Sequence, residues 1–155
     1  MIREALEIVE ARADSDEVQG LFRELDAGLA ANYPGGVIHG VKPQAGAERR
    51  LTMLVVRLDG VTVGCGGLRE HDDGIGEVKR MFVKPAYRAR GISRRVLFAL
   101  EDLARSRGYA RVRLETGTRQ LEAIGLYESA GYGIIEPFGE YIGDLHSVCY
   151  EKALR

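Results

Sequence analysis

Glu77-Val78-Lys79-Arg80-Met81-Phe82-Val83-Lys84-Pro85, followed at once by Arg88-Ala89-Arg90-Gly91-Ile92-Ser93-Arg94-Arg95-Val96-Leu97, decides how this chain folds. The first run, from Glu77 to Val83, reads as a strand that Glu77 begins. Pro85 stops it by fixing φ and lacking an amide donor. Val96, Leu97, Leu100, Leu103 and Ala104 then recur at helical spacing, so the second run enters a helix that buries one face. A helix start offers unpaired amides and the positive end of the helix dipole. Gly91 lets a ligand approach the backbone, while Arg88 and Arg90 add charge. Strand, basic turn and helix together make a candidate pyrophosphate cradle. The same residues also describe an ordinary strand-to-helix turn with two solvated arginines.

Working outward, the upstream half is antiparallel in character. Leu6–Ala11 alternates as a first strand. Asp14, Ser15 and Asp16 are N-cap types before a helix carrying Val18, Leu21, Phe22, Leu25 and Leu29. From Tyr33-Pro34-Gly35-Gly36 to Arg50 the periodicity lapses, and a long loop is expected. His39, within it, has no partner in sight. Leu51–Leu58 is a buried-type strand, Asp59-Gly60 signals a hairpin, and Val61–Arg69 returns. Gly64, Gly66 and Gly67 inside that return point to a bulge or a close backbone approach. His71-Asp72-Asp73-Gly74 turns into the Glu77 strand.

Downstream, Gly108 closes the long helix. Arg111–Glu115 is a strand, and a helical crossover to it implies parallel pairing with the Glu77 strand. Gln120–Ala130 is a second helix ended by Gly131. Gly133–Ile135 and Ser147–Lys152 are the last strands, separated by a loop through Pro137 to Tyr141.

The chain's 155 residues suit one domain, taken as residues 1–155. A formal net charge of −1 gives no general attraction to nucleic acid or an anionic membrane. No apolar run reaches the ~20 residues that span a bilayer. The first residues lack a signal peptide's apolar core, so a cytoplasmic protein is expected. Cys65 and Cys149 show neither metal nor redox spacing, and are expected to be reduced and buried, with no metal bound. Neither Gly-x-x-x-x-Gly-Lys-Ser/Thr nor Gly-x-Gly-x-x-Gly occurs, which counts against the usual nucleotide-binding modules.

Val83-Lys84-Pro85 with Arg88-Ala89-Arg90-Gly91-Ile92-Ser93 resembles the acyl-CoA-binding signature of the GNAT-type N-acyltransferase superfamily. Arg88 and Gly91 match it, whereas Ser93 replaces the final Gly or Ala. Ala123-Ile124-Gly125-Leu126-Tyr127 with Gly131-Tyr132 resembles the superfamily's second motif, and Gln120 stands where its Asn is usual. The likeness is detailed from about residue 51 to 135. It implies an α/β (α+β) fold with a mixed central sheet flanked by helices. It also implies an N-acetyltransferase that moves an acetyl group from acetyl-CoA, as co-substrate, to a primary amine by direct attack. A non-catalytic acyl-CoA sensor is the alternative, and Tyr127 argues against it.

By this resemblance, backbone groups of Met81, Phe82 and Val83 hold the pantetheine arm and Gln120 touches it. Arg88, Ala89, Arg90, Gly91, Ile92 and Ser93 hold the pyrophosphate. Tyr127 is the candidate acid for the departing thiolate, since a phenol near pKa ~10 suits that donation. Glu77 is the candidate base, acting through water, and equally a solvated carboxylate at a strand start. The loops around residues 34–50 and 137–141 are expected to wall the acceptor site. The acceptor is a small-molecule or peptide amine. No nucleic acid or membrane partner is implied, and a homodimer is allowed.

Overall fold

The computed structural model describes residues 5–36 and 50–155, so His39 and most of the expected loop lie outside the described residues. Seven strands form one sheet: β1 (Leu6–Ala11), β2 (Leu51–Leu58), β3 (Val61–Glu70), β4 (Ile75–Val83), β5 (Arg111–Gly117), β6 (Gly133–Ile135) and β7 (Ser147–Ala153). Their spatial order is β1-β2-β3-β4-β5-β7-β6. Three α-helices, α1 (Asp16–Asn32), α2 (Ile92–Ser106) and α3 (Leu121–Ser129), and two short 3₁₀ turns, Pro85–Tyr87 and Gly139–Tyr141, complete the described elements. All pairings are antiparallel except β4 with β5, which is parallel as the α2 crossover requires.

The two faces of the sheet carry separate cores. One packs Val96, Leu97, Leu100 and Ala104 of α2 against Val56, Leu68, Val78 and Leu114. The other packs Val18 and Leu21 of α1 against Met53, Val55, Cys65 and Phe82. Helix α1 starts where Ser15 Oγ accepts from the Val18 amide at 3.3 Å. Glu17 then fixes it to the sheet by a bidentate pair with Arg57 and a short hydrogen bond from Thr62. Glu101, buried on α2, accepts from Tyr132 Oη and Lys152 Nζ at 2.9 Å each, which ties α2 to the β7 side of the sheet.

The glycines of β3 mark close approach, as their pattern predicts. A Cβ on Gly66 would stand 2.6 Å from Met81 Sδ and 2.7 Å from Val96 Cγ1. Helix α2 therefore sits directly on the β3 backbone. Opposite it β4 bulges, because Cys65 pairs with Phe82 but Gly67 already pairs with Lys79. Arg80, at φ +58°, occupies the bulge, and its carbonyl accepts from Cys65 Sγ at 3.3 Å.

One expectation about β4 needs revising. The strand begins at Ile75 rather than Glu77, because Ile75 and Gly76 pair in parallel with Arg111 and Val112 of β5. Glu77 lies inside the sheet, 3% exposed, and is not a solvated residue at its edge.

Candidate active site

The site forms where β4 and β5 part. Their last paired residues are Val78 and Leu114, yet β4 runs on to Val83 and β5 to Gly117. Beyond that point β3 still pairs with β4, through Phe82 and Val83, and β7 still pairs with β5. The inner edges of the fork therefore face each other without bonding. Between and around them lies a cavity of about 770 Å³. It runs from the turn before α2, past the fork, to the C-terminal part of α1 and the loop that ends in Ser147.

At one end is the basic turn. Gly91 is the N-cap of α2 at φ +76°, and Ala89 before it also has positive φ, +63°. No side chain caps the helix and no acidic residue sits in its first turn. These features leave an anion-seeking helix start, and a Cβ on Gly91 would meet nothing within 4 Å. Arg88 braces the turn, with Nε donating to the Val83 carbonyl at 2.9 Å and its guanidinium 5.8 Å from the Phe82 ring centre. Arg90 lies 5.4 Å from the Tyr87 ring centre. Gly91, Ile92 and Ser93 line the cavity together with Met81, Phe82 and Val83.

In the middle stand Tyr127 and Gln120, both on the cavity wall. Tyr127 is 5% exposed, and burial together with the negative charge of Glu115 pushes its phenol well above its ordinary value. It keeps its proton throughout the neutral range. Gln120 turns its side-chain oxygen back onto the Gly117 amide at 2.8 Å, which leaves its NH2 group as the donor for a ligand.

At the far end a hydrogen-bonded group crosses the sheet. Tyr141 Oη donates to Glu77 Oε2 at 2.6 Å and accepts from Lys79 Nζ at 3.0 Å. The other oxygen of Glu77 meets His71 Nε2 at 2.8 Å, and Lys79 also pairs with Glu140 at 3.2 Å. Burial raises the Glu77 pKa, but His71, Lys79 and Tyr141 outweigh it, so the carboxyl sits below its usual range. Tyr141 moves upward, through burial and the neighbouring Glu77 charge. Tyr141 and Lys79 line the cavity, whereas Glu77 stands behind them.

Ten of the twelve sequence-predicted residues are thereby gathered along one cavity, Tyr127 and Gln120 included. Glu77 reaches it through Tyr141 and Lys79, and Arg90 stands beside it. Sequence reading placed Tyr141 in an acceptor-side loop without giving it a role, and passed over Glu115 and Lys79. Alternation along β4 and β5 could have grouped Glu77 with Lys79, and Arg111 and Arg113 with Glu115, as charged faces opposite the apolar face that carries Val78, Val112 and Leu114. Among the described residues, no helix is long and apolar enough to cross a membrane, and no group of three or more His, Cys, Asp or Glu could hold a metal.

A parted parallel strand pair, a basic glycine turn and a buried tyrosine thus share one cavity, whose turn end suits an anionic group. Comparison with known proteins agrees. The profile of the acetyltransferase (GNAT) family matches residues 18–132. The chain is 41% identical over 140 residues to the IAA acetyltransferase of Azospirillum brasilense, covering 90% of this chain and 92% of that one. A solved structure from Klebsiella pneumoniae, assigned as an acyl-CoA N-acyltransferase, superposes with a TM-score of 0.83 at 31% identity, over 97% of this chain and 98% of that one. PaiA N-acetyltransferase from Thermoplasma acidophilum, solved with coenzyme A, shares the fold alone. Its TM-score is 0.72 at 15% identity, over 96% and 99% of the two chains. This chain belongs to the acetyltransferase (GNAT) family, and it is an acyl-CoA-dependent acetyltransferase.

Proposed function

We propose that this single-domain enzyme transfers an acetyl group from acetyl-CoA directly to a primary amine. The observation that carries the reading is the fork beyond Val78 and Leu114, which joins the α2 turn to the Tyr127 and Tyr141 walls in one cavity. The residues fit the donor. The uncapped start of α2, with Gly91 at positive φ, suits the pyrophosphate, and the inner edge of β4 from Met81 to Val83 suits the amide-bearing pantetheine arm. Gln120 offers its NH2 group to the same arm.

Acetyl-CoA supplies the thioester, and the protein's residues supply orientation and proton handling. The acceptor arrives as an ammonium and must lose a proton before its nitrogen can attack. Tyr141 Oη takes that proton as it passes its own to Glu77 Oε2, so Glu77 acts as a base at one remove. Glu77 suits the task because it is ionised at neutral pH. Tyr127 keeps its proton and faces the cavity as the donor for the departing thiolate, but burial and the Glu115 charge make its phenol a weaker acid than the ordinary tyrosine the sequence reading assumed.

The test is thiol release from acetyl-CoA, with and without primary amines. Thermal-shift titrations comparing acetyl-CoA with ATP and NAD would run beside it. Amine-dependent release and stabilisation by acetyl-CoA alone are expected. Stabilisation without release for any amine would reduce the protein to an acyl-CoA binder.

A further inference from the structure

Strand β5 runs out at Gly117 into a turn, Gly117-Thr118-Arg119-Gln120, in which every backbone amide has a partner. The Gln120 amide closes the turn onto the Gly117 carbonyl at 3.0 Å. The Gly117 amide donates to Gln120 Oε1 at 2.8 Å, and the Thr118 amide to the His146 carbonyl at 2.9 Å. The remaining amide, that of Arg119, donates to Tyr33 Oη at 2.8 Å. Tyr33 is the C-cap residue of α1, so a helix from the other end of the chain completes the turn.

A glycine makes the seat for that hydroxyl. Gly117 is not at positive φ, so it is needed for space rather than for conformation. A Cβ on it would stand 1.9 Å from Tyr33 Oη and 2.7 Å from Gln120 Oε1, so the absent side chain makes room for both. Two further contacts hold Tyr33 in place. Arg119 Nη1 donates to the Asn32 carbonyl at 2.8 Å, and the Tyr33 and His146 rings meet tilted, 5.7 Å between centres. The tie also crosses the fork: α1 is fastened to β4 at Phe82 and Arg80, whereas the turn continues β5. Tyr33, Gly117 and Gln120 all line the cavity.

The consequence falls on Gln120. It is the N-cap residue of α3, yet its side chain accepts from no amide of that helix. A glutamine side chain is long, and its terminal amide can present either its oxygen or its NH2 group. Here the Gly117 amide takes the oxygen, and the NH2 group is the end left for the cavity. That choice lasts only while the turn keeps its shape. We infer that Tyr33 is a positioning residue for the acyl donor: its hydroxyl holds the 117–120 turn and thereby aims the Gln120 NH2 group at the pantetheine arm. The inference rests on the proposed contact between Gln120 and that arm.

The experiment is a calorimetric titration of acetyl-CoA into the wild type, Tyr33→Phe, Gln120→Ala and the double variant. The same proteins are titrated with 3′-phospho-ADP, the part of coenzyme A that lacks the pantetheine arm. Tyr33→Phe keeps the ring and removes only the hydroxyl, and thermal unfolding checks that it folds. It should weaken acetyl-CoA about three- to tenfold, the range for one net hydrogen bond, and leave 3′-phospho-ADP unchanged. Gln120→Ala should do the same. Adding Tyr33→Phe to it should cost little more, because both losses run through one contact. A general loosening of the fold would instead weaken both ligands and add to the Gln120 loss. Wild-type acetyl-CoA affinity in Tyr33→Phe, equal weakening of both ligands, or full additivity in the double variant overturns the positioning role. Wild-type affinity in Gln120→Ala overturns the arm contact itself, and the positioning role with it.

Discussion

Tyr141 donates its hydroxyl proton to the buried carboxylate of Glu77 over 2.6 Å, joining a 3₁₀ turn that ends at Tyr141 to the middle of the central sheet. That bond gives Glu77 access to a cavity it does not line. It also helps explain how a carboxylate that is 3% exposed stays ionised, since an unpartnered one in that position would be protonated.

The first prediction concerns stability against pH. The folded pKa of Glu77 is lowered from its ordinary 4.5, so its stabilising contribution is complete above that value. It is lost as pH falls through the lower folded value. Wild type should therefore exceed Glu77→Gln in stability at neutral pH, and the gap should narrow as the solution is acidified below about 4.5. Urea melts across that range measure it. A gap that widens in acid would contradict the assignment.

Kinetics separate the proton acceptor from the proton donor. Glu77→Gln and Tyr141→Phe should each lower kcat most at modest pH and recover as rising pH supplies free amine. Tyr127→Phe should show no such recovery and should leave acetyl-CoA affinity nearly unchanged, because it loses a contact made only in the transition state. Its expected cost is about 10²-fold in kcat, the lower end for a general acid, since thiolate leaves readily. Recovery of the Tyr127 variant alone would reverse the roles.

Gly91 tests the donor site. A Cβ there meets no protein atom, so Gly91→Val acts through its φ of +76°, which a β-branched residue resists. Forcing it costs about 1–2 kcal/mol, and the relaxed turn would misalign the helix start. Acetyl-CoA affinity should fall about tenfold or more, and by about fivefold or less in Arg90→Ala, whose screened charge contributes modestly. Calorimetric titration decides it, and wild-type affinity in a folded Gly91→Val variant would remove the cradle.

Gly66 tests the contact beneath α2. Its added methyl would press on Met81 and Val96 at well under contact distance. Gly66→Ala should lose about 1–3 kcal/mol by overpacking. Thermal unfolding measures this, and a neutral result would mean that α2 can lift off β3 at little cost.

Much of the fold is written locally. Leu51–Leu58 shows its eight-residue strand in composition, Asp59-Gly60 its hairpin, and Val96 to Ala104 the buried stripe of α2. The donor turn is equally local, since Gly91 and the residues around it are contiguous in sequence. The acceptor end is not. Glu77, Lys79, Glu115 and Tyr141 come from three elements, and their proximity depends on where β4 and β5 stop pairing. Glu77 in particular looks like a strand-end carboxylate, because Gly76 before it interrupts the strand signal that Ile75 carries.

The bulge at Arg80 sets which face each later residue of β4 presents. Val78, Met81 and Val83 all belong to the α2 side of the sheet, while Lys79, Arg80 and Phe82 belong to the α1 side. Arg80 is thus the one supernumerary residue in an otherwise regular alternation, as if a character had been typed twice. Substituting it would alter a contact with Asp26 but leave the count intact. Removing it would let β4 close ranks with β3 and run straight, with every other side chain still on its own face. The two faces of β4 that border the cavity and the α2 core are thus kept in phase around a single residue of excess backbone.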